Sequence, residues 1–415
     1  MATTHTGPAA PATERPAHRD GNVLRWLGGY TTSTAGDALY FLALAWAAAR
    51  EGSATQAGLV LAVAAVPRAL FMLGGGVIAD RYGPRRIVIA SDAVRCLVVL
   101  GVAALLLLAT PGIWLLVALA LVFGVVDALF LPAVGALPPR ITTPGQLARV
   151  QGMRGIAARI ALITGPPLGG LLLALGGSAA AFGAAGVLFA VSLLLLLAVR
   201  VRPGPVRDGG EGRTAWRQLG DGLRYIRRHP VLAPLVAATA VAELGFAGPG
   251  NIGLVLLVQE RGWSAAAFGW IIAGFGGGAA AASLLIAVRG RIPRAGAVQA
   301  WAWLLGGCAL TGVALAPTVP LAVAASAAVG LVLGLVGALV GALLQTSCDP
   351  AYLGRVTSVY TLCALGLSPL TYPVVGAAIG AWGTTPVFAA GSALCAVGGL
   401  AGLLFAPLRR AELPR

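Results

Sequence analysis

Four ionisable residues stand inside long apolar runs: Asp37, Arg68, Asp127 and Glu243. At 1.5 Å of helix per residue, each lies about 18–21 Å from the nearest polar flank, close to mid-bilayer. A charge there costs several kcal/mol unless it is paired or hydrated. Two chemistries fit. A carboxylate in a low-dielectric cavity can take up and return a proton as water access alternates, or recognise a cationic substrate. The alternative is a static ion pair, for which Arg68 and the deep Arg159 are available partners. Asp92 and Arg95, three residues apart, read as a local structural pair. Enzyme chemistry has no support. His5, His18 and His229 all fall outside the apolar runs, and Cys96, Cys308, Cys348, Cys363 and Cys395 show no C-x-x-C spacing. No catalytic group, metal site, cofactor or disulfide is expected.

The elements that must hold these residues are membrane helices. The chain is 58% hydrophobic and 10% charged, against roughly a quarter charged in a soluble domain. At about 20 residues per span the sequence predicts an all-α membrane protein of twelve transmembrane helices. They are Arg25–Ala49, Gln56–Ala79, Arg86–Ala109, Ile113–Val134, Arg149–Leu175 and Ala179–Val199, then Pro230–Val258, Ser264–Val288, Ala295–Ala316, Pro320–Gln345, Arg355–Ala381 and Pro386–Ala406; they are called spans 1 to 12 below. The basic residues behind the net charge of +15 are all arginines, most of them spaced between apolar runs, which is membrane topology and not a nucleic-acid stripe. One side carries Arg81, Arg85, Arg86, Arg140, Arg149, Arg289, Arg291, Arg294, Arg355 and the arginines of 200–229; the other carries Arg50 and Arg261 alone, each beside an acid. The positive-inside rule then puts both termini in the cytoplasm of a plasma (inner) membrane protein. Residues 1–24, polar and rich in Pro, Ala and Thr, read as a disordered tail and not a signal peptide, and 407–415 as a second tail.

The halves repeat. At one constant offset Gly124 matches Gly330, Gly135 matches Gly341, Pro144 matches Pro350, Arg149-Val150 matches Arg355-Val356, and Gly170 matches Gly376. This aligns spans 4–5 with spans 10–11 and predicts two pseudo-symmetric six-helix bundles, 25–199 and 230–406. Between them, 200–229 begins Pro/Gly-rich. It then sets Trp216, Leu219, Leu223 and Ile226 on one helical face, a basic amphipathic helix expected to lie on the inner membrane surface.

Two motifs add a family. Between spans 2 and 3, Gly76, Asp80, Arg81, Gly83, Arg85 and Arg86 form G-x-x-x-D-R-x-G-x-R-R. This resembles the signature loop of the major facilitator superfamily of secondary transporters. As a glycine-broken turn holding one acid among three arginines, it can form ion pairs and meet a helix end. A degenerate copy, Arg289 to Arg294, lacks the acid. In span 5, Gly152, Gly165-Pro166 and Gly169-Gly170 fit G-x8-G-x3-G-P-x2-G-G except at Ala161, similar to the pattern of antiporters in that superfamily. Its physical content is a side-chain-free, proline-loosened helix face. Short strings, Gly36-Asp37, Leu344-Gln345 and Leu353-Gly354-Arg355-Val356, resemble the macrolide-efflux and enterobactin-exporter branch of drug:proton antiporters.

The resemblance implies a secondary transporter, not an enzyme: a monomer in the lipid bilayer that exports a small amphiphilic molecule in exchange for protons. It also implies that spans 1, 4, 7 and 10 line the cavity, so Asp37, Asp127 and Glu243 face it. Asp80 is expected to face Arg355 at the start of span 11. The arginine that many drug antiporters carry in span 4 is absent, and Asp127 occupies that helix. A symporter or facilitator for nutrient uptake, and a non-transporting scaffold or sensor, remain the alternatives.

Overall fold

The computed structural model describes residues 17–109, 112–201, 215–289, 292–349, 352–366 and 368–412. Among these the regular elements are all helical. Among the described residues eight helices are long and apolar enough to cross a membrane. One of them, Arg149–Leu197, crosses twice, because Gly177 takes a left-handed φ of 64° and breaks Leu147–Leu197 between spans 5 and 6. The remaining spans are Gly21–Glu51, which holds Asp37, Ala54–Tyr82, which holds Arg68, and span 11, which is divided. Asp37 and the threonines around it lower the hydropathy of the first, and the third is broken into short helices.

Span 1 begins earlier than expected, at Gly21 instead of Arg25, because the Asp20 side chain accepts the Asn22 N–H at 2.8 Å as an N-cap. The Asn22 side chain then bonds the backbone of Arg200, and Ala17 N–H donates to Gln146 Oε1, so the expected tail is ordered from Ala17 onward. The signature loop is also shorter than its motif. Span 2 stays helical to Tyr82 and span 3 starts at Pro84, leaving Gly83 at φ 87° as the whole turn.

Packing obeys a pseudo-two-fold relation. Span 2 lies on span 4 as span 8 lies on span 10, and span 3 on span 6 as span 9 on span 12. The repeat glycines mark it: a Cβ on Gly124 would meet the Ala64 carbonyl, and one on Gly330 the Phe275 carbonyl. The bundles meet through two matched seams, span 5 on span 8 and span 11 on span 2. A Cβ on Gly170 would stand 2.7 Å from Ala265 O, and its repeat mate Gly376 would collide with Ala54 O. Gly269 meets Pro166 O as Gly58 meets Tyr372 O. These four contacts lie in the half away from the arginine-rich connections.

The hydrophobic core follows the same division. On the arginine-poor half one cluster runs through both bundles, from Leu39 and Phe123 to Ile252 and Phe388. On the arginine-rich half there are two separate cores, one around Trp26 and Val134, the other around Trp303 and Leu343. The bundles are therefore fused at one face and parted at the other.

Two C-terminal-half spans are interrupted where sequence periodicity predicts continuity. Span 7 runs Leu232–Gly248, widens into a π-turn over Pro249–Gly253, and resumes as Leu254–Glu260. Pro249 has no N–H to give, which loosens the ladder there. Span 11 runs Leu353–Thr361, a π-turn Leu362–Gly366, a short turn Ser368–Leu370, and Thr371–Trp382.

Candidate substrate and ion site

The polar centre of the N-terminal bundle is Arg95, only 1% exposed. One guanidinium nitrogen reaches Asp127 Oδ1 at 2.5 Å. The other lies 3.4 Å from Asp92 Oδ1 and 3.6 Å from Asp37 Oδ1. Spans 1, 3 and 4 thus each send a carboxylate to one cation. Ser33 Oγ donates to Asp92 at 3.0 Å, and Ser192 Oγ from span 6 lies 2.5 Å from its second oxygen. The guanidinium plane is covered by Phe130, 4.0 Å from the ring centroid, and by Phe189 at 5.6 Å.

The three acids differ in access. Asp92 is fully buried, Asp127 is 20% exposed and Asp37 34%. Asp92 is held by two hydroxyls and one charge, the setting of a fixed counter-ion. Asp37 has the longest contact and the greatest exposure, and its buried Oδ1 makes no hydrogen bond; nor does the Tyr40 hydroxyl one turn along. Three carboxylates against one guanidinium leave an excess of negative charge in a largely buried cluster, which favours a bound proton or cation.

Sequence reasoning identified Asp37 and Asp127 but offered Arg68 or Arg159 as partners. The structure assigns that role to Arg95. Arg159 instead donates to Ser283 Oγ at 2.9 Å, across the seam between spans 5 and 8. Arg68 is half-buried within electrostatic reach of Asp37 and Tyr372, and no acid among the described residues pairs with it. Arg95 was legible in principle. A mid-span guanidinium has five N–H donors, more than one carboxylate three residues away can satisfy, and so calls for acids on other helices. Glu243 lies apart, in the C-terminal bundle, near Tyr360, Tyr372 and Cys395 and without an ion pair among the described residues.

The C-terminal bundle offers a cavity of about 250 Å³ in the arginine-poor half. Phe246, Phe268, Phe275 and Phe388 line it, with Phe41 and Leu162 contributed by the other bundle. Its two polar walls are self-satisfied: Asn251 Nδ2 donates to Ala247 O at 2.9 Å and Ser326 Oγ to Ile271 O at 2.7 Å. The π-turn of span 7 forms one wall. The surface offered to a ligand is almost wholly carbon.

The motif residues divide. Arg85 donates from Nε to Val199 O at 2.9 Å and from Nη2 to Leu197 O at 2.8 Å, closing the C-terminal end of span 6. Arg81 lies 5.8 Å from the Tyr82 ring centroid, and Arg86 is exposed. The side chain of Asp80 and the surroundings of Gly76 lie outside the described residues. Arg355, the expected partner of Asp80, lies 3.9 Å from Asp221 of the linker helix. In span 5, Gly165 and Gly169 admit Ala38 and Leu42 of span 1, and Gly170 admits span 8. Gly152 and its surroundings are open, so close packing does not require a glycine there.

The Major Facilitator Superfamily sequence profile matches residues 26–364. The chain belongs to that superfamily. Among its relatives, the multidrug efflux pump Tap of Mycobacterium tuberculosis (strain ATCC 25618 / H37Rv) is 26% identical over 390 residues, covering 92% of each chain. The enterobactin exporter EntS of Escherichia coli O1:K1 / APEC is 26% identical over 366 residues, covering 86% of this chain and 85% of that protein. Solved structures share the fold. The nucleoside transporter NupG superposes with a TM-score of 0.73 at 13% identity over 92% of this chain and 98% of that one. A bacterial homologue of the human lysosomal transporter Spinster, in an inward-facing and occupied conformation, gives 0.68 at 14% over 95% and 97%. This facilitator is a multi-pass membrane transporter of small substrates, not an enzyme.

Proposed function

We propose that the chain is a proton-coupled exporter of an amphiphilic small molecule, working by alternating access between its two bundles. The observation that carries this reading is the single Arg95 guanidinium faced by Asp37, Asp92 and Asp127. Asp92 is the fixed counter-ion, and Asp37 and Asp127 are the carriers. In one state a proton resides on the Asp37–Asp127 pair and offsets the excess charge. When the bundles rock and water reaches the pair from the other side, the proton leaves and Arg95 draws both carboxylates in.

The carbon-lined cavity supports an amphiphile as cargo, since a nutrient symporter would present fixed polar groups to its ligand. The names of the efflux relatives support the outward direction. The parted arginine-rich face is the cytoplasmic one in this reading, with both termini there, the protein in the plasma membrane and acting as a monomer. Arg85 and the Gly83 turn fix the ends of spans 3 and 6 at that face, with Asp80 and Arg355 as the switch.

The test is sensitivity profiling in a bacterial host stripped of its own pumps. Expression should raise resistance to apolar, weakly basic compounds, and Asp37→Asn should remove that gain at unchanged membrane abundance. Sensitisation, or resistance that persists after collapse of the proton gradient, would contradict the proposal.

A further inference from the structure

The linker helix Ala215–Arg228 builds a second polar pocket, away from the transport site and independent of transport direction. It is a cavity of about 390 Å³ between this helix and the start of span 11. Arg224, Arg228 and Arg355 line it together with Tyr225, Tyr352 and Asp221. A helix merely resting on a membrane would turn its apolar face to lipid. Here Ile226 is buried in the C-terminal core and Gly222 packs on the backbone of Arg355, where a Cβ would stand 2.7 Å from its carbonyl oxygen. The helix is thus docked on span 11, while Leu223 stays exposed on its outer side.

The pocket has a rigid floor. Tyr225 stacks on Tyr352 with centroids 4.6 Å apart and planes at 13°, and the His229 ring lies 5.9 Å from Tyr225 at 29°. The Tyr225 hydroxyl accepts the Asp349 N–H at 3.1 Å, tying the helix to the connection before span 11. The Arg355 guanidinium lies 5.2 Å from the Tyr352 ring centroid. Asp221 is the only acid in the lining among the described residues, and it is shared between Arg224 at 3.8 Å and Arg355 at 3.9 Å. Both contacts are long. Arg228 has no acid partner among the described residues, and Arg227 and Arg228 line an adjoining hollow of about 380 Å³.

Three guanidiniums lining one pocket, two of them on a loosely held carboxylate and the third without an acid among the described residues, make an anion site with a weak internal competitor. The planar forks of arginine match a phosphate group. We infer that this pocket binds a phosphate-bearing anion through Arg224, Arg228 and Arg355, displacing Asp221 from Arg355. The exposed Leu223 beside the pocket favours a membrane source, the headgroup of an anionic phospholipid with its acyl chains along the helix. A bound headgroup would transfer Arg355 from Asp221 to phosphate, linking lipid composition to the first turn of span 11.

The test is native mass spectrometry of the full-length protein in neutral detergent. Phosphatidylglycerol, phosphatidylcholine and inorganic phosphate are titrated separately. The native protein should retain phosphatidylglycerol in preference to phosphatidylcholine. Each arginine is worth about five-fold in affinity, so Arg224→Gln with Arg228→Gln should lower retention by about 25-fold. Asp221→Asn should raise it, a gain that impaired folding cannot produce. Arginine-dependent retention of phosphate without preference for phosphatidylglycerol keeps the site and makes its occupant a soluble anion. Retention indifferent to both arginines, or weakened by Asp221→Asn, overturns the proposal.

Discussion

The two bundles share a packing plan and divide the work. In the N-terminal bundle, spans 1, 3, 4 and 6 converge on Arg95 and its three acids. In the C-terminal bundle the matched region holds Glu243, unpaired among the described residues, and a phenylalanine-lined cavity. The N-terminal spans that carry the charges are unbroken helices, whereas spans 7 and 11 each contain a π-turn. Buried charge needs fixed geometry, because an ion left without its partner costs several kcal/mol. A cavity for a ligand of variable shape has no such requirement. The difference suggests that one half sets the coupling and the other the cargo, and that the glycine seams transmit motion between them.

The largest effect should come from the hub. Arg95→Met leaves three carboxylates facing one another without their cation, and should destabilise the protein by about 3–5 kcal/mol. Thermal unfolding in detergent would read this as a large fall in Tm, partly restored when Asp127→Asn is added. An unchanged Tm would remove Arg95 from the centre of the N-terminal bundle.

Next come the seams. Gly58→Ala and Gly376→Ala each place a methyl against a carbonyl of the opposing bundle. Overpacking of this kind costs about 1–3 kcal/mol, enough to shift a two-state equilibrium about 5- to 150-fold. Both should favour the state open on the arginine-poor face. A single cysteine at Leu39 or Val255, buried in the shared core, should then label faster with an impermeant thiol reagent. Equal labelling would mean the seams do not gate access.

The cavity tests the other half. Phe41→Ala and Phe246→Ala should each weaken apparent affinity for an apolar substrate by about five- to ten-fold, from lost buried area. Uphill coupling should be unaffected. Loss of coupling with unchanged affinity would reverse the division of labour. Glu243→Gln should have the smallest effect on coupling, below about two-fold, because no ion pair among the described residues ties Glu243 to the Arg95 cluster.

Much of this was legible in the sequence. Alternating arginine-rich connections and the Pro144/Pro350 and Gly170/Gly376 matches give twelve spans and two bundles, since membrane insertion depends on local composition. Asp37 and Asp127 stood out because an acid in hydrocarbon demands a reason. Arg95 was passed over because Asp92, three residues away, supplied a sufficient local partner; only the packing of four helices shows that it serves three acids. The π-turns were invisible, since a π-turn adds one residue to a ladder whose apolar surroundings mask any change of period. The linker helix was read from its amphipathic face alone, and its docking through Gly222 and Ile226 depends on tertiary contacts.

The central claim is that Asp37 and Asp127 carry the coupling proton against a fixed Arg95–Asp92 pair. Export against a substrate gradient in proteoliposomes with an imposed pH step tests it most directly. Asp37→Asn and Asp127→Asn should each abolish uphill movement while downhill exchange continues, and Glu243→Gln should leave uphill movement intact. Uphill export persisting in both aspartate variants would contradict the account.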